Sequence, residues 1–138
     1  MLFDFDAFDE PQHLYIPIPP CPASRPKVAR FGTYYSKRHQ EYMRSFAAFL
    51  KVLPPQWTYL PKEKRLFIII EFACKRPKRL TNAIPRYDID NLIKLPLDCM
   101  TSAAMFWHDD FQIEAIVARK RYAETNEEEH TKLQVMSL

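Results

Sequence analysis

The chain has 138 residues, 47% of them hydrophobic and 14% aromatic, which suits one domain with its own core and argues against disorder. No purely apolar run is longer than that at residues 66–70, and the first ten residues are acidic, whereas a membrane helix needs roughly 20 apolar residues and a secretory signal a basic start, so neither is expected. Cys21, Cys74 and Cys99 lie far apart with no C-x-x-C pair, which leaves reduced thiols in a cytoplasmic protein as the expectation.

The net charge of +3 conceals a division. Asp4, Asp6, Asp9 and Glu10 mark an acidic arm over residues 1–13, and Glu127, Glu128 and Glu129 cluster near the end. Between them lie two basic groups, one with Arg25, Lys27, Arg30, Lys37, Arg38 and Arg44, the other running from Lys62 through Lys75, Arg76, Lys78 and Arg79 to Arg86. A positive body suits a polyanion, because Lys and Arg contacts to phosphates supply most sequence-independent affinity. Ordinary solvated basic faces would produce the same composition.

In chain order, Phe3, Phe5 and Phe8 alternate with acids in the arm, which fits a flexible arm, an edge strand or a partner-binding peptide. HLYIPIP (13–19) alternates apolar residues, but Pro17 and Pro19 confine it to an edge strand. Residues 19–35 are Pro-rich and basic and read as an extended surface loop. Ser36 is a candidate N-cap for an amphipathic helix over 37–53, with Tyr42, Phe46, Phe49, Leu50 and Leu53 on one side, ending before Pro54-Pro55. LFIIIEFAC (66–74) is apolar on both faces and reads as a central strand, followed by the basic loop KRPKRLTNAIPR. Asp88 or Asp90 can cap a helix running to about Ala104, with Pro96 expected to kink it or move its start later. Residues 112–122 and 131–137 read as strands joined by the acidic turn ETNEEEH, a C-terminal hairpin. The expected fold is a single small α/β (α+β) domain with a mixed sheet, two main helices and that hairpin.

The segment RYDIDNLIKLPLDCMTSAAMFWHDD (86–110) carries the chemistry. Helix capping needs only one of Asp88, Asp90 and Asn91. A calcium loop of the EF-hand type fails, because Leu92, Ile93 and Cys99 occupy positions that require a ligand, a glycine and a glutamate. Paired carboxylates for sugar hydrolysis find no support in the basic surroundings. A magnesium-dependent phosphodiesterase site accounts for more: Mg²⁺ takes oxygen ligands, and Asp88 and Asp90, two apart in extended chain, can face one side with Asp110 joining them. Crowded carboxylates raise one another's pKa, and a divalent metal relieves that repulsion. Lys94, one helical turn after Asp90, can reach the same space to bind a scissile phosphate, stabilise the transition state or orient water. His108 reads as structural or exposed, since magnesium prefers oxygen, and Phe106 and Trp107 read as core.

D-I-D-N-L-I-K (88–94), then Asp98 and F-W-H-D-D (106–110), resembles the signature of the RusA family of Holliday-junction resolvases. SRPK (24–27), with the Tyr-rich stretch and helix after it, also resembles that family's basic loop, so the likeness runs from about residue 14 to 138. It implies that Asp88, Asp90 and Asp110 bind Mg²⁺, with Mn²⁺ as a substitute, and that Lys94 is the catalytic lysine. Asn91, Asp98 and Asp109 are then groups behind the ligands, caps or surface residues, and the spacing from Asp90 to Asp109, one residue longer than in the family, bears on the choice between Asp109 and Asp110. The resemblance further implies a homodimeric endonuclease of bacterial or bacteriophage origin that resolves four-way DNA junctions in recombination, repair or phage DNA processing. Arg25, Lys27, Arg30, Lys75, Arg76, Lys78, Arg79 and Arg86 are the expected DNA contacts, positioning phosphates and recognising branch shape. Two alternatives stand beside it: a non-catalytic branched-DNA-binding or assembly protein of the same fold, and a nuclease of relaxed substrate choice.

Overall fold

A computed structural model describes residues 4–53 and 56–138; Phe3 and the Pro54-Pro55 pair fall outside the described residues. The chain forms a mixed α+β domain around a sheet in the order β1-β6-β4-β5. β4 (Leu66–Cys74) lies inside it, as its two-sided apolar pattern predicts, with alternate residues Leu66, Ile68, Ile70, Phe72 and Cys74 in the main core. β1 (Gln12–Ile16) is an edge strand that buries Leu14 and Ile16 and leaves Tyr15 exposed, ending where Pro17 withdraws a donor.

The two C-terminal strands form where expected, as β5 (Ile113–Tyr122) and β6 (His130–Ser137), running in opposite directions. Their hydrogen bonds, however, go to β4, which lies between them: β5 pairs with it in parallel and β6 antiparallel. The reason is apolar content. β4 is buried on both faces and needs a partner along each edge, whereas β5 is only half-buried and suits the outside of the sheet. The parallel β4–β5 pair requires a crossover, and the second helix supplies it.

The first helix, α1 (Lys37–Val52), starts at Ser36, whose hydroxyl accepts from the His39 N–H at 3.3 Å. It buries His39, Tyr42 and Phe46 along one face. The second, α2 (Ile89–Ala103), buries Leu92, Leu95, Pro96, Leu97 and Met100. Pro96 does not move its start later: the helix begins at Ile89 and continues through the proline. An interior proline costs about 3 kcal/mol, and burying several large apolar side chains at ~1.5–3 kcal/mol each offsets that. At its C-cap the helix ends on Ala104, which takes a left-handed conformation (φ 57°) usually left to glycine.

The stretch 19–35, expected as a plain loop, contains a hairpin of β2 (Lys27–Ala29) and β3 (Gly32–Tyr34) with Arg30 and Phe31 at its tip. The chain's single glycine closes it, Gly32 at φ +136° being strained for any other residue. All six strand residues are exposed, so no apolar alternation betrays the strands.

Residues 4–11 of the acidic arm form no strand; only its last two residues enter the edge strand β1. Phe5–Ala7 make a short 3-10 turn, and the rings of Phe5 and Phe8 lie edge-on to Phe67 at 5.6 and 5.8 Å. Asp9 donates its N–H to the Ser137 carbonyl at 2.8 Å and pairs its carboxylate with Lys64 at 3.1 Å. The three cysteines are free thiols. Among the described residues no helix is long and apolar enough to cross a membrane.

Candidate active site and nucleic-acid interface

α2 presents Asp90, Lys94 and Asp98 at successive four-residue steps, hence along one face. Asp88 occupies the N-cap in extended conformation (φ −68°, ψ 127°), and its carbonyl accepts from the Leu92 N–H at 3.2 Å. Its carboxylate makes no capping hydrogen bond. Asp88 and Asp90 are both exposed, and among the described residues neither carboxylate has an ion pair or a hydrogen bond. The Lys94 ammonium points down the helix to Asp98, 3.2 Å away, rather than back to Asp90. Both side chains are half-exposed or more, and such a surface pair is worth at most about 1 kcal/mol, so the lysine is easily redirected.

Asp109 and Asp110 sit on a turn fastened from behind. Phe106 and Trp107 are fully buried, and the indole N–H of Trp107 donates to Thr101 Oγ1 of α2 at 2.8 Å. The Phe106 carbonyl accepts from the Leu60 N–H at 2.9 Å and from the Trp57 indole at 3.1 Å. Gln112 is the hub: its buried side-chain oxygen accepts from the N–H groups of His108 (2.8 Å) and Asp109 (2.9 Å), while its amide donates to the carbonyls of Pro61 (2.6 Å) and Lys64 (3.2 Å). The carboxyls of Asp109 and Asp110 face outward and are exposed; that of Asp109 also accepts from the backbone N–H groups of Asp110 and Phe111, and the two carboxyls are hydrogen-bonded to each other. That bond raises the Asp110 pKa, with desolvation and the charges of Asp109 and Asp98 adding to it, and lowers that of Asp109. Two neighbouring carboxylates disfavour each other's charge, and a nearby cation would relieve that.

Asp98 thus links the groups, pairing with Lys94 and acting on Asp110. Asp88 and Asp90 lie at the other end of the same helix. Among the described residues, no three Asp, Glu, His or Cys side chains gather closely enough to hold a metal ion. The aspartates form two exposed groups along α2 rather than one cage. His108 is exposed and lies edge-on to Phe111 at 6.4 Å.

The root of the hairpin is tied to the start of α2. Ala23 donates its N–H to the Asn91 carbonyl at 2.8 Å. Ser24 donates its N–H to Nδ1 of buried His39 at 3.1 Å, and its hydroxyl accepts from the Ser36 N–H at 3.1 Å, which clamps the two ends of the hairpin together. Burial lowers the His39 pKa; Asp98 raises it and Lys94 lowers it further. Arg38 reaches Tyr87, which precedes Asp88, through its hydroxyl (3.4 Å) and its ring (5.7 Å to the centroid), and Lys120 of β5 donates to the Tyr87 carbonyl.

Arg25, Lys27 and Arg30 are exposed on the hairpin side, and Lys75, Arg76, Lys78, Arg79 and Arg86 are exposed on the loop that leads into α2. One basic segment thus follows Ala23, which is bonded to Asn91, and the other precedes Asp88 in the chain, with Arg76 near its start donating to the Ala123 carbonyl at 3.5 Å. Gln112, His39 and Tyr87 were not singled out in the sequence. Gln112 had a signal, the D-x-x-Q spacing of a capping box from Asp109; His39, one polar residue on an amphipathic helix, had none.

No curated protein matches the chain. The family model for endodeoxyribonuclease RusA matches residues 17–135, a span that contains both basic segments, α2 and the aspartate pair. The chain belongs to the RusA family of endodeoxyribonucleases, and membership implies nuclease action on Holliday junctions.

Proposed function

We propose that the protein is a Mg²⁺-dependent endonuclease that resolves four-way DNA junctions by paired, symmetric nicks in recombination, repair or phage DNA processing. The observation that carries the reading is the exposed pair Asp88 and Asp90, whose carboxylates have no hydrogen bond or ion pair among the described residues. Asp88 leaves its cap bond unmade, and the Asp109 carboxyl beside Asp110 raises the Asp110 pKa, a repulsion a cation would relieve. Mg²⁺ needs few protein ligands, often one or two carboxylates completed by water and substrate phosphate, so the neighbouring Asp88 and Asp90 are enough to begin a site. In this reading Asp110 completes the set with them only when metal and DNA bring it to their end of α2, with Asp109, Asp98 and Asn91 behind the ligands. Bound there, the metal supplies charge for the phosphate and a more acidic water.

The chain's own groups do the rest. Lys94 leaves Asp98 to meet a non-bridging phosphate oxygen, adding positive charge where negative charge develops. The basic segments at 25–30 and 75–86 hold the flanking phosphates and fix the strand's register without reading bases. One site makes one nick, so paired nicks call for a two-fold homodimer on a nearly two-fold substrate.

A second reading, a branched-DNA-binding protein without cleavage, draws on one observation: no three ligands gather among the described residues. Incubating the purified protein with Mg²⁺ and a synthetic four-way junction separates the two. Symmetric paired cuts with linear duplex spared support the resolvase; equal cutting of linear duplex removes the junction selectivity; binding with no cutting at any Mg²⁺ or Mn²⁺ concentration establishes the binding module.

A further inference from the structure

We propose that Phe31, at the tip of the β2–β3 hairpin, stacks on an unstacked base at the branch point of the DNA, with the Arg30 guanidinium on the other face of its ring. The inference rests on the junction-nuclease reading and adds to it the group that senses the branch.

Phe31 is 95% exposed, and Val28, at 86%, follows it closely. The register pairs Tyr34 with Lys27 and Val28 with Thr33, so Tyr34 and Val28 point to opposite faces of the hairpin, and Tyr35 stacks on His39. Phe31 is thus a ring presented alone at the tip, among cations. The hairpin gains nothing from the core, since every strand residue is exposed, and an isolated two-stranded hairpin is marginal in water. Its structure therefore serves something outside the chain.

Charge selects the partner. Residues 11–40 contain no Asp or Glu, while Arg25, Lys27, Arg30, Lys37 and Arg38 all lie there. An acidic protein surface would satisfy the cations but leaves no role for an aromatic tip presented alone. Nucleic acid satisfies both, because each base offers a π-face between flanking phosphates. In a continuous duplex the bases are already stacked, whereas at a branch point the terminal pairs have lost a neighbour and their unstacking costs least. The ring is prepared for such a sandwich: Arg30 Cζ lies 5.8 Å from its centroid, a cation-π contact that leaves the other face open.

The position is suitable as well. Ala23, one residue before the hairpin's clamped root, is hydrogen-bonded to Asn91, the neighbour of Asp90. From that root to the tip is about six residues of extended chain, or roughly 20 Å at about 3.4 Å per residue. A branch point held at Phe31 thus sets how far along the strand the carboxylates meet a phosphate.

The test uses the full chain and a four-way junction carrying 2-aminopurine at the branch point, with Mg²⁺ withheld so that the DNA stays whole. The wild-type protein is expected to raise the fluorescence, and to leave 2-aminopurine in a linear duplex unchanged. Phe31→Ala is expected to abolish the rise and weaken junction affinity by about tenfold, whereas Phe31→Tyr keeps both. A rise that persists in Phe31→Ala overturns the stacking role while leaving the junction-nuclease reading standing; so does a Phe31→Tyr variant as impaired as the alanine one. Failure of the wild type to bind the junction removes both readings. If Phe31→Ala instead lowers the protein's mass in solution without DNA, the hairpin is a contact between copies and the proposal falls.

Discussion

The turn that carries Asp109 and Asp110 and the hairpin that carries Phe31 are built on opposite principles. The turn stands on two fully buried aromatics and on Gln112, whose side chain joins two backbone N–H groups to three carbonyls of a distant loop. The hairpin is clamped at its root by Ser24, Ser36 and His39, and all six of its strand residues are exposed. A group that must meet a phosphate within a few tenths of an ångström is held by the core. A group that must find a base in a deformable junction is left free to adjust, and low local stability comes with that freedom.

The contrast predicts a graded series of effects. Trp107→Ala should cost the most, about 3–5 kcal/mol in denaturant unfolding, since it removes a fully buried indole and its bond to Thr101. Gln112→Ala should cost about 1–3 kcal/mol, because five backbone groups lose a partner. Its cleavage rate should fall as well, with junction affinity held. The clamp should show itself in pH. The His39 pKa is lowered by burial, so the folded state binds fewer protons there than the unfolded state, whose value is 6.5. Its share of stability is complete above about pH 6.5 and declines as the pH drops below it. Protonation at Nδ1 also removes the acceptor for the Ser24 N–H. The drop in thermal midpoint between pH 7.5 and 5.5 should therefore be smaller in His39→Gln than in the wild type. Smallest of all, Val28→Ser on the hairpin should change stability by less than about 0.5 kcal/mol; a larger loss would mean that the hairpin is packed after all and would break the contrast.

Legibility in the sequence follows the same division. Elements that bury a face announce themselves: β4 by its two-sided apolar run, α1 by Tyr42 and Phe46 at helical spacing behind the Ser36 cap. The start of α2 was legible at Asp88, but not the tolerance of Pro96, which depends on how much apolar surface the helix buries on its other residues. Strand pairing was less legible, because nothing local to 112–137 says that β4 lies between β5 and β6. The hairpin was invisible to hydrophobic periodicity because it has no buried face, and its one signal was the position of the only glycine. For the site, the motif brought the aspartates and Lys94 onto one stretch of sequence. It did not foresee that Lys94 pairs with Asp98, nor that Gln112 fixes the turn.

The central claim is that these aspartates hold a catalytic metal rather than cap a helix, and the most direct measurement is junction cleavage and junction binding by Asp90→Asn side by side with the wild type. Asparagine retains the size and the capping ability of aspartate and loses the anionic ligand. The account predicts cleavage reduced at least about a thousandfold, a loss of ~4 kcal/mol in transition-state stabilisation, with junction affinity equal to or tighter than wild type. Near-normal turnover by Asp90→Asn in Mg²⁺ would contradict it.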